Sequence, residues 1–222
     1  MIIAVDGPAG AGKSAVAKIL AKKLGFLYID TGAMYRALTW KALEKGTQIS
    51  DEKAVEELAK GSLLDLQNSP EGLKVFIDGH DVTAAIREPR VSARVSDVAK
   101  IPGVRFVMAG LQRRLGHAKD SILDGRDIGT VVFPKADVKF FIDASPEERV
   151  DRRFKDFKNL NITDVSREQV EIDLKNRDRI DSTRECAPLK QAADAIYIDT
   201  TSFSIEQVVA QMLVHIETKR KK

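Results

Sequence analysis

The chain has 222 residues, 43% hydrophobic and 31% charged, the balance of a globular protein with one large domain or two small ones. Its 36 Lys and Arg against 33 Asp and Glu leave a net charge of +3, too balanced for a polybasic nucleic-acid binder; the terminal Lys219-Arg220-Lys221-Lys222 run reads as a solvated helix end. One cysteine, Cys186, excludes an intrachain disulfide, no apolar run approaches the roughly 18 residues of a membrane span, and His80, His117 and His215 lack metal-ligand spacing and are expected on the surface.

Met1–Val5 is wholly apolar, as a central parallel strand would be, and Asp6-Gly7-Pro8 follows too soon for a secretory leader. Lys13–Leu24 carries Val16, Ile19, Leu20 and Leu24 at helical spacing, and Gly25 stops it. Phe26–Ile29 is the next strand, Ala33–Leu43 a helix ending near Gly46, and Asp51–Lys60 a third helix. The rhythm breaks over 62–90, where Leu73–Asp78, a turn at Gly79-His80 and Asp81-Val82 predict a β-hairpin in a small inserted subdomain. Helices resume at Pro89–Lys100 and Val104–Lys119; Trp40 and Phe106 are expected to face the core of their helices. Ser121–Leu123, Val138–Ile142 and Ala195–Ile198 complete five strands. Capping boxes at Ser145-Pro-Glu-Glu148, Ser166-Arg-Glu-Gln169 and Ser204-Ile-Glu-Gln207 each open a helix. The alternation predicts an α/β fold, a parallel five-stranded sheet with helices on both faces.

Gly7-Pro8-Ala9-Gly10-Ala11-Gly12-Lys13-Ser14 fits G-x-x-x-x-G-K-[ST] between a predicted strand and a predicted helix. Small residues let successive N–H groups turn inward around phosphate oxygens, and the helix N-terminus adds its dipole. Lys13 would reach the β- and γ-phosphates and Ser14 would ligate Mg²⁺. This pattern implies binding of a nucleoside triphosphate without naming the reaction. A GTPase would need Asn-Lys-x-Asp, which is absent, and Ser121-Ile-Leu-Asp124 lacks the adjacent acids of a motor, so a small-molecule kinase is favoured.

Four further motifs carry a resemblance. Asp30-Thr-Gly-Ala-Met-Tyr-Arg36, Ser96-Asp-Val-Ala-x-x-Pro102-x-Val-Arg105, Asp124-Gly-Arg-Asp-Ile-Gly-Thr-Val-Val-Phe-Pro134 and Arg177-x-x-x-Asp181-x-x-Arg184-x-x-Ala-Pro-Leu189 are similar to bacterial-type cytidylate kinase, in order along the whole chain. The resemblance implies a P-loop core (1–30, 101–148 and 186–222), an NMP-binding domain with its hairpin insert (31–100) and a mobile helical lid (149–185). It implies transfer of the γ-phosphoryl of ATP to CMP or dCMP with Mg²⁺, in a cytoplasmic monomer with no nucleic-acid or membrane partner. The phosphate acceptor needs no base, because its second pKa lies near 6; neutralising and aligning two phosphates calls for arginines.

The resemblance assigns ATP to residues Gly7–Ala15 with Arg149 and Arg152, and catalysis to Lys13, Arg126, Arg153 and Arg184. It assigns CMP to Thr31, Tyr35, Arg36, Ser96, Arg105, Arg126, Asp127, Arg177, Asp181 and Arg184, with Arg177 and Asp181 at the ribose edge. Asp124 would hold Mg²⁺ through water. Cytosine presents acceptors at O2 and N3 and a donor at N4, so a reader wants a cation and an acceptor; the resemblance offers Arg105 for the first and Ser96 with Asp127 for the second. From the residues alone other readings stay open. Arg177, Asp181 and Arg184 share a helix face that could be a solvated ion-pair surface, as could Arg149, Arg152 and Arg153. Thr31 could be a helix N-cap, and Ser96 an ordinary helix serine. Ala15 stands where the family usually has a second hydroxyl residue, which removes one side-chain contact to the α-phosphate. Cys186 is expected to be inert. A UMP kinase, a small-alcohol kinase with Asp127 as base, and a non-catalytic nucleotide-switched protein are the alternatives.

Overall fold

The computed structural model describes residues 1–69, 72–160 and 162–220. Lys221 and Lys222 of the basic run, and residues 70–71 of the predicted insert, lie outside them.

Five parallel strands form the main sheet: β1 (Ile2–Asp6), β2 (Leu27–Asp30), β6 (Ser121–Gly125), β7 (Val138–Asp143) and β8 (Ile196–Asp199), in the order β2-β6-β1-β7-β8. β1 is central and apolar up to its last residue, Asp6, because both faces are covered. Its Ile3 and Val5 join one core with Val16, Leu20, Phe140 and Met212, while Ala4 joins the other with Ile29, Leu38, Met108 and Leu123. The helices α1 (Lys13–Leu24) and α8 (Ile205–Arg220) cover the first face. The second is covered by α2 (Thr31–Glu44), α4 (Pro89–Ala99) and α5 (Pro102–His117), with α3 (Glu52–Lys60) packed on α5. The sheet order reverses at β1, so a crevice opens at the carboxyl ends of β1 and its neighbours, where such sheets bind ligands.

The insert is a three-stranded antiparallel sheet rather than the hairpin alone: β3 (Leu64–Ser69), β4 (Gly72–Ile77) and β5 (His80–Asp81). β3 alternates half-buried Leu64 and Leu66 with exposed Asp65 and Gln67. Such a polar edge strand carries little apolar signal in sequence. The tight turn falls at Asp78-Gly79, both at positive φ (52° and 81°), one residue earlier than predicted. α6 (Pro146–Asn159) and α7 (Arg167–Thr183) form a helical pair with a small core of its own, Val150, Phe157, Val170 and Leu174, against Ala9 of the phosphate loop.

Ser145, Ser166 and Ser204 all accept from the amide three residues on, as predicted. Only Ser204 makes the reciprocal bond, donating its own N–H to Gln207 Oε1 at 2.8 Å; Glu148 pairs instead with Arg152 and Gln169 with Asp173. α2 begins at Thr31, and its cap is Asp30, which accepts from Ala33 N–H at 2.7 Å. Thr31 is not the cap. Phe106 is 83% exposed, contrary to its predicted core position, because α5 turns Val104, Arg105, Met108 and Gln112 inward. Trp40 packs partly buried against the first core, and the three histidines are exposed. No helix among the described residues is long and apolar enough to cross a membrane.

Candidate active site

The crevice holds a cavity of about 500 Å³, bordered by residues 9–16 of the loop. The loop bends this way because its glycines allow it. Gly7 sits at φ 146°, where an added Cβ would stand 1.9 Å from the Ile142 carbonyl; Gly12 sits at φ 89° directly before α1 and leaves the helix start without a side-chain cap. The first amides of α1 therefore remain open to an anion. Lys13 is 6% exposed and donates to the Pro8 carbonyl at 2.5 Å. Burial and then Arg126 push its ammonium well below the usual lysine range, while Asp124 and Asp6 pull the other way.

Ser14 donates to Asp124 Oδ2 at 2.5 Å and Tyr28 donates to Asp124 Oδ1 at 3.0 Å. A hydroxyl and a buried carboxylate at the end of the strand beside the loop form an oxygen-only donor set, which suits Mg²⁺ with several waters retained. Burial, then Asp30, push the Asp124 carboxyl up to about 6 against Ser14, Lys13 and Tyr28. A carboxyl raised on folding binds extra protons in the folded state, so its stabilising share is full below about pH 4 and is lost as pH rises through about 6. Asp124→Asn should therefore raise nucleotide-free stability at pH 7 by on the order of 1–3 kcal/mol and flatten its decline between about pH 4 and 6. Denaturant melts at the two ends of that range check this. Unchanged stability with an unchanged slope contradicts it.

On the other side the cavity is bordered by an arginine and carboxylate cluster. Arg105 donates to the Ala99 carbonyl at 3.0 Å and to Asp127 Oδ2, and its guanidinium lies 5.6 Å from the Tyr35 ring. Arg184 pairs with Asp127 at 3.5 Å and with Asp181 at 3.7 Å. Asp181 also accepts from Arg126 Nε at 3.0 Å and from Ser96 Oγ at 3.3 Å. Burial would raise the Asp181 carboxyl, but Arg126, Arg177 and Arg184 outweigh it and hold it below the usual range. Arg36 pairs with Asp30 at 3.2 Å. Burial and the crowding of Arg126, Arg153 and Arg36 lower the Arg177 guanidinium. Buried Arg105 Nε and Arg177 Nε have no hydrogen-bond partner among the described residues, and Arg184 Nη2 has only its ion pair with Asp127 at 3.5 Å. Unpartnered buried donors around a cation-rich cavity are the capacity to bind an anion.

Every residue expected at the acceptor side borders this one cavity: Thr31, Tyr35, Arg36, Ser96, Arg105, Arg126, Asp127, Arg177, Asp181 and Arg184. Thr31 reaches it while donating to the Asp124 carbonyl at 2.7 Å. Arg152 and Arg153 border it too. Arg152 reaches the loop at Ala11 O and Thr200 at 2.9 Å; Arg153 reaches Ser92 on α4 at 3.1 Å. Arg149 differs from both. It lies behind the loop, donating to Ala9 O at 3.1 Å and Ala144 O and pairing with Asp178 at 2.5 Å, and it is not among the residues bordering the cavity. Its fork is already spent on backbone and carboxylate. The solvated-face alternatives fail for Asp181 and Arg184, which are 4% and 8% exposed.

Several site residues escaped the sequence reading. Asp30 serves as both cap and Arg36 partner, and its position before Thr31-Gly32-Ala33 is a signal that N-cap preference could have supplied. Thr200, Phe203, Ser204, Ile205 and Val208 border the cavity beside Arg152. The capping box marked Ser204 and Ile205 only as a helix start and no motif marks the other three, since packing of α8 against α1 brings the segment there. Asp6 and Tyr28 gave no local signal either.

A family model described as cytidylate kinase matches residues 3–218. A cytidylate kinase of Enterococcus faecalis is 49% identical over 98% of this chain and 96% of its own length. One of Bacillus licheniformis is 50% identical over 100% of this chain and 98% of its own. Among solved structures, a shikimate kinase of Bacteroides thetaiotaomicron superposes with a TM-score of 0.51 at 11% identity, covering 98% of both chains, a likeness of fold alone.

Proposed function

The chain belongs to the cytidylate kinase family and phosphorylates CMP to CDP at the expense of ATP, and we propose that the two sides of its cavity divide that work as follows. ATP lies with its phosphates on residues 7–15, Lys13 at the β- and γ-phosphates, and its base along Arg152 and the Thr200–Val208 segment. CMP takes the arginine cluster: cytosine against Arg105, Asp127 and Ser96, ribose against Asp181 with Arg177, and phosphate among Arg36, Arg126 and Arg184. The observation that carries this is the pair of buried guanidinium nitrogens without partners, Arg105 Nε and Arg177 Nε, beside a phosphate loop in one cavity.

An oxygen of the CMP phosphate attacks the γ-phosphorus in line; the bond from that phosphorus to the β–γ bridging oxygen breaks, and ADP leaves with the electron pair. Lys13, Arg126, Arg153 and Arg184 meet the charge spread over the equatorial oxygens. Ser14 and Asp124 would hold Mg²⁺, which would supply neutralisation of phosphate charge. No side chain needs to take a proton, and both Asp127 oxygens are engaged by Arg105 and Arg184. We read 149–185 as a lid closing on 31–100, a reading supported by the bond from Arg153 to Ser92.

A coupled ADP-release assay over CMP, dCMP, UMP and small alcohols tests the assignment. CMP and dCMP are expected to exceed UMP by at least about tenfold, the scale of one good base contact. Equal rates with UMP or turnover of an alcohol would overturn it. The acid limb of kcat/KM for CMP should follow the acceptor's own ionisation near pH 6 and shift downward with a thiophosphate analogue. A limb that ignores the analogue and vanishes in Asp127→Asn makes Asp127 a base. Asp181→Ala removes a partner of Arg126 and the proposed ribose acceptor. CMP efficiency should fall about tenfold or more and dCMP efficiency less, since a lost bond to a charged group is worth roughly 1.5–3 kcal/mol. An unchanged CMP to dCMP ratio with intact activity moves the ribose elsewhere.

A further inference from the structure

We propose that Asp6 is a positioning residue that couples the phosphate loop to the cytosine-reading turn; this rests on the assignment of Asp127 to the base. Asp6 ends β1 and directly precedes Gly7, yet its carboxylate, 4% exposed, serves a segment far along the chain. Oδ1 accepts from Ile128 N–H at 2.8 Å and Oδ2 from Gly129 N–H at 2.7 Å. These amides follow Asp127 immediately. The Asp127 carbonyl accepts from Val131 and Val132, and its carboxylate from Arg105. The turn that presents Asp127 is thus clamped at three points, and one of them is the residue before the phosphate loop.

The turn cannot provide this acceptor itself. Ile128 is 1% exposed, so its N–H and that of Gly129 are first amides of a helical turn with no water to take them. A carboxylate from another strand acts as their cap, with one oxygen for each donor. Gly129 suits the arrangement, because a Cβ there would stand 3.3 Å from Asp6 Oδ2 and 3.1 Å from Lys139 Cδ. The charged groups near Asp6 are Lys13 and Asp127, while the Lys139 ammonium is directed to Pro134 O and Asp194. An asparagine offers one acceptor and turns its own NH₂ toward the second amide, so the turn must shift, and Asp127 with it. The donor loop loses no bond in that exchange.

Steady-state kinetics with CMP, UMP and ATP on Asp6→Asn, Asp6→Glu and Asp127→Asn, beside thermal melts, test the proposal. Asp6→Asn should raise KM for CMP by about tenfold and shrink the CMP-over-UMP preference about fivefold, with KM for ATP within about twofold. Asp6→Glu, with both oxygens, should recover part of the preference. If Asp6→Asn does not fold, Gly129→Ala, which crowds Asp6 Oδ2, should give the same split. Lower melting temperature with unchanged KM and preference would make Asp6 merely structural and overturn the proposal; so would an ATP effect as large as the CMP effect. Asp127→Asn losing the preference while Asp6→Asn and Gly129→Ala keep it overturns the coupling alone. Asp127→Asn keeping the preference overturns the base assignment, and the coupling with it.

Discussion

Lys13→Met is expected to leave a folded chain whose turnover falls at least about a hundredfold, some 2.7 kcal/mol of transition-state stabilisation. Lys13 is buried under the loop, and its Nζ already lies at the Pro8 carbonyl, among groups that would surround the phosphates. A cation there meets more charge in the transition state than in bound ATP, so kcat should fall further than KM for ATP rises. The fold should not suffer. Burial and Arg126 disfavour the ammonium, and methionine matches the stem without the charge, so the nucleotide-free melting temperature should hold or rise. Near-normal turnover in the coupled assay would remove Lys13 from the reaction.

Arg105→Met should strike CMP and stability together. Arg105 and Asp127 are buried partners, their side chains 5% and 6% exposed. Removing the arginine leaves Asp127 with Arg184 alone at 3.5 Å, and taking one partner from a buried pair costs up to about 3–5 kcal/mol. KM for CMP should rise about 10- to 100-fold, from roughly 1–3 kcal/mol of base contact, while KM for ATP stays within about twofold. Adding Asp127→Asn should restore much of the stability, since the orphaned charge is gone, but not the preference for CMP. Recovery of both would mean that the pair only holds the fold. A rise confined to KM for ATP would place Arg105 at the donor.

Much of this protein was legible without a structure because its signals are local. The apolar run of β1, the glycines that let the loop fold back on itself, and Lys13-Ser14 lie consecutively, so backbone geometry and phosphate chemistry are written in one stretch. The other parallel strands were nearly as plain, because strands covered on both faces are mostly apolar, although β7 carries Lys139 and the edge strand β8 exposes Tyr197. Arg177, Asp181 and Arg184 share a helix face by spacing, but spacing could not say whether that face meets water. Burial of Asp181 and Arg184 decided it, through the packing of α7 against α4.

What the tertiary structure alone decided is the partnership between distant residues. β3 was invisible because half-buried edge strands pair through backbone bonds that any polar sequence can make. Phe106 was misplaced because one apolar residue on a helix does not reveal which face turns inward. Arg149, Arg152 and Arg153 look alike within one helix turn and a half, yet one braces the loop from behind, one reaches Thr200 and one reaches Ser92. Asp6 is the furthest case: it stands beside the phosphate loop in sequence and serves the turn at Ile128 and Gly129, because β1 and β6 pair in parallel and bring both carboxyl ends to one edge. Local chemistry is carried by neighbours along the chain. The placement of a buried charge depends on which acceptor the fold brings within about 3 Å of it, and that distance exists only once the sheet has closed.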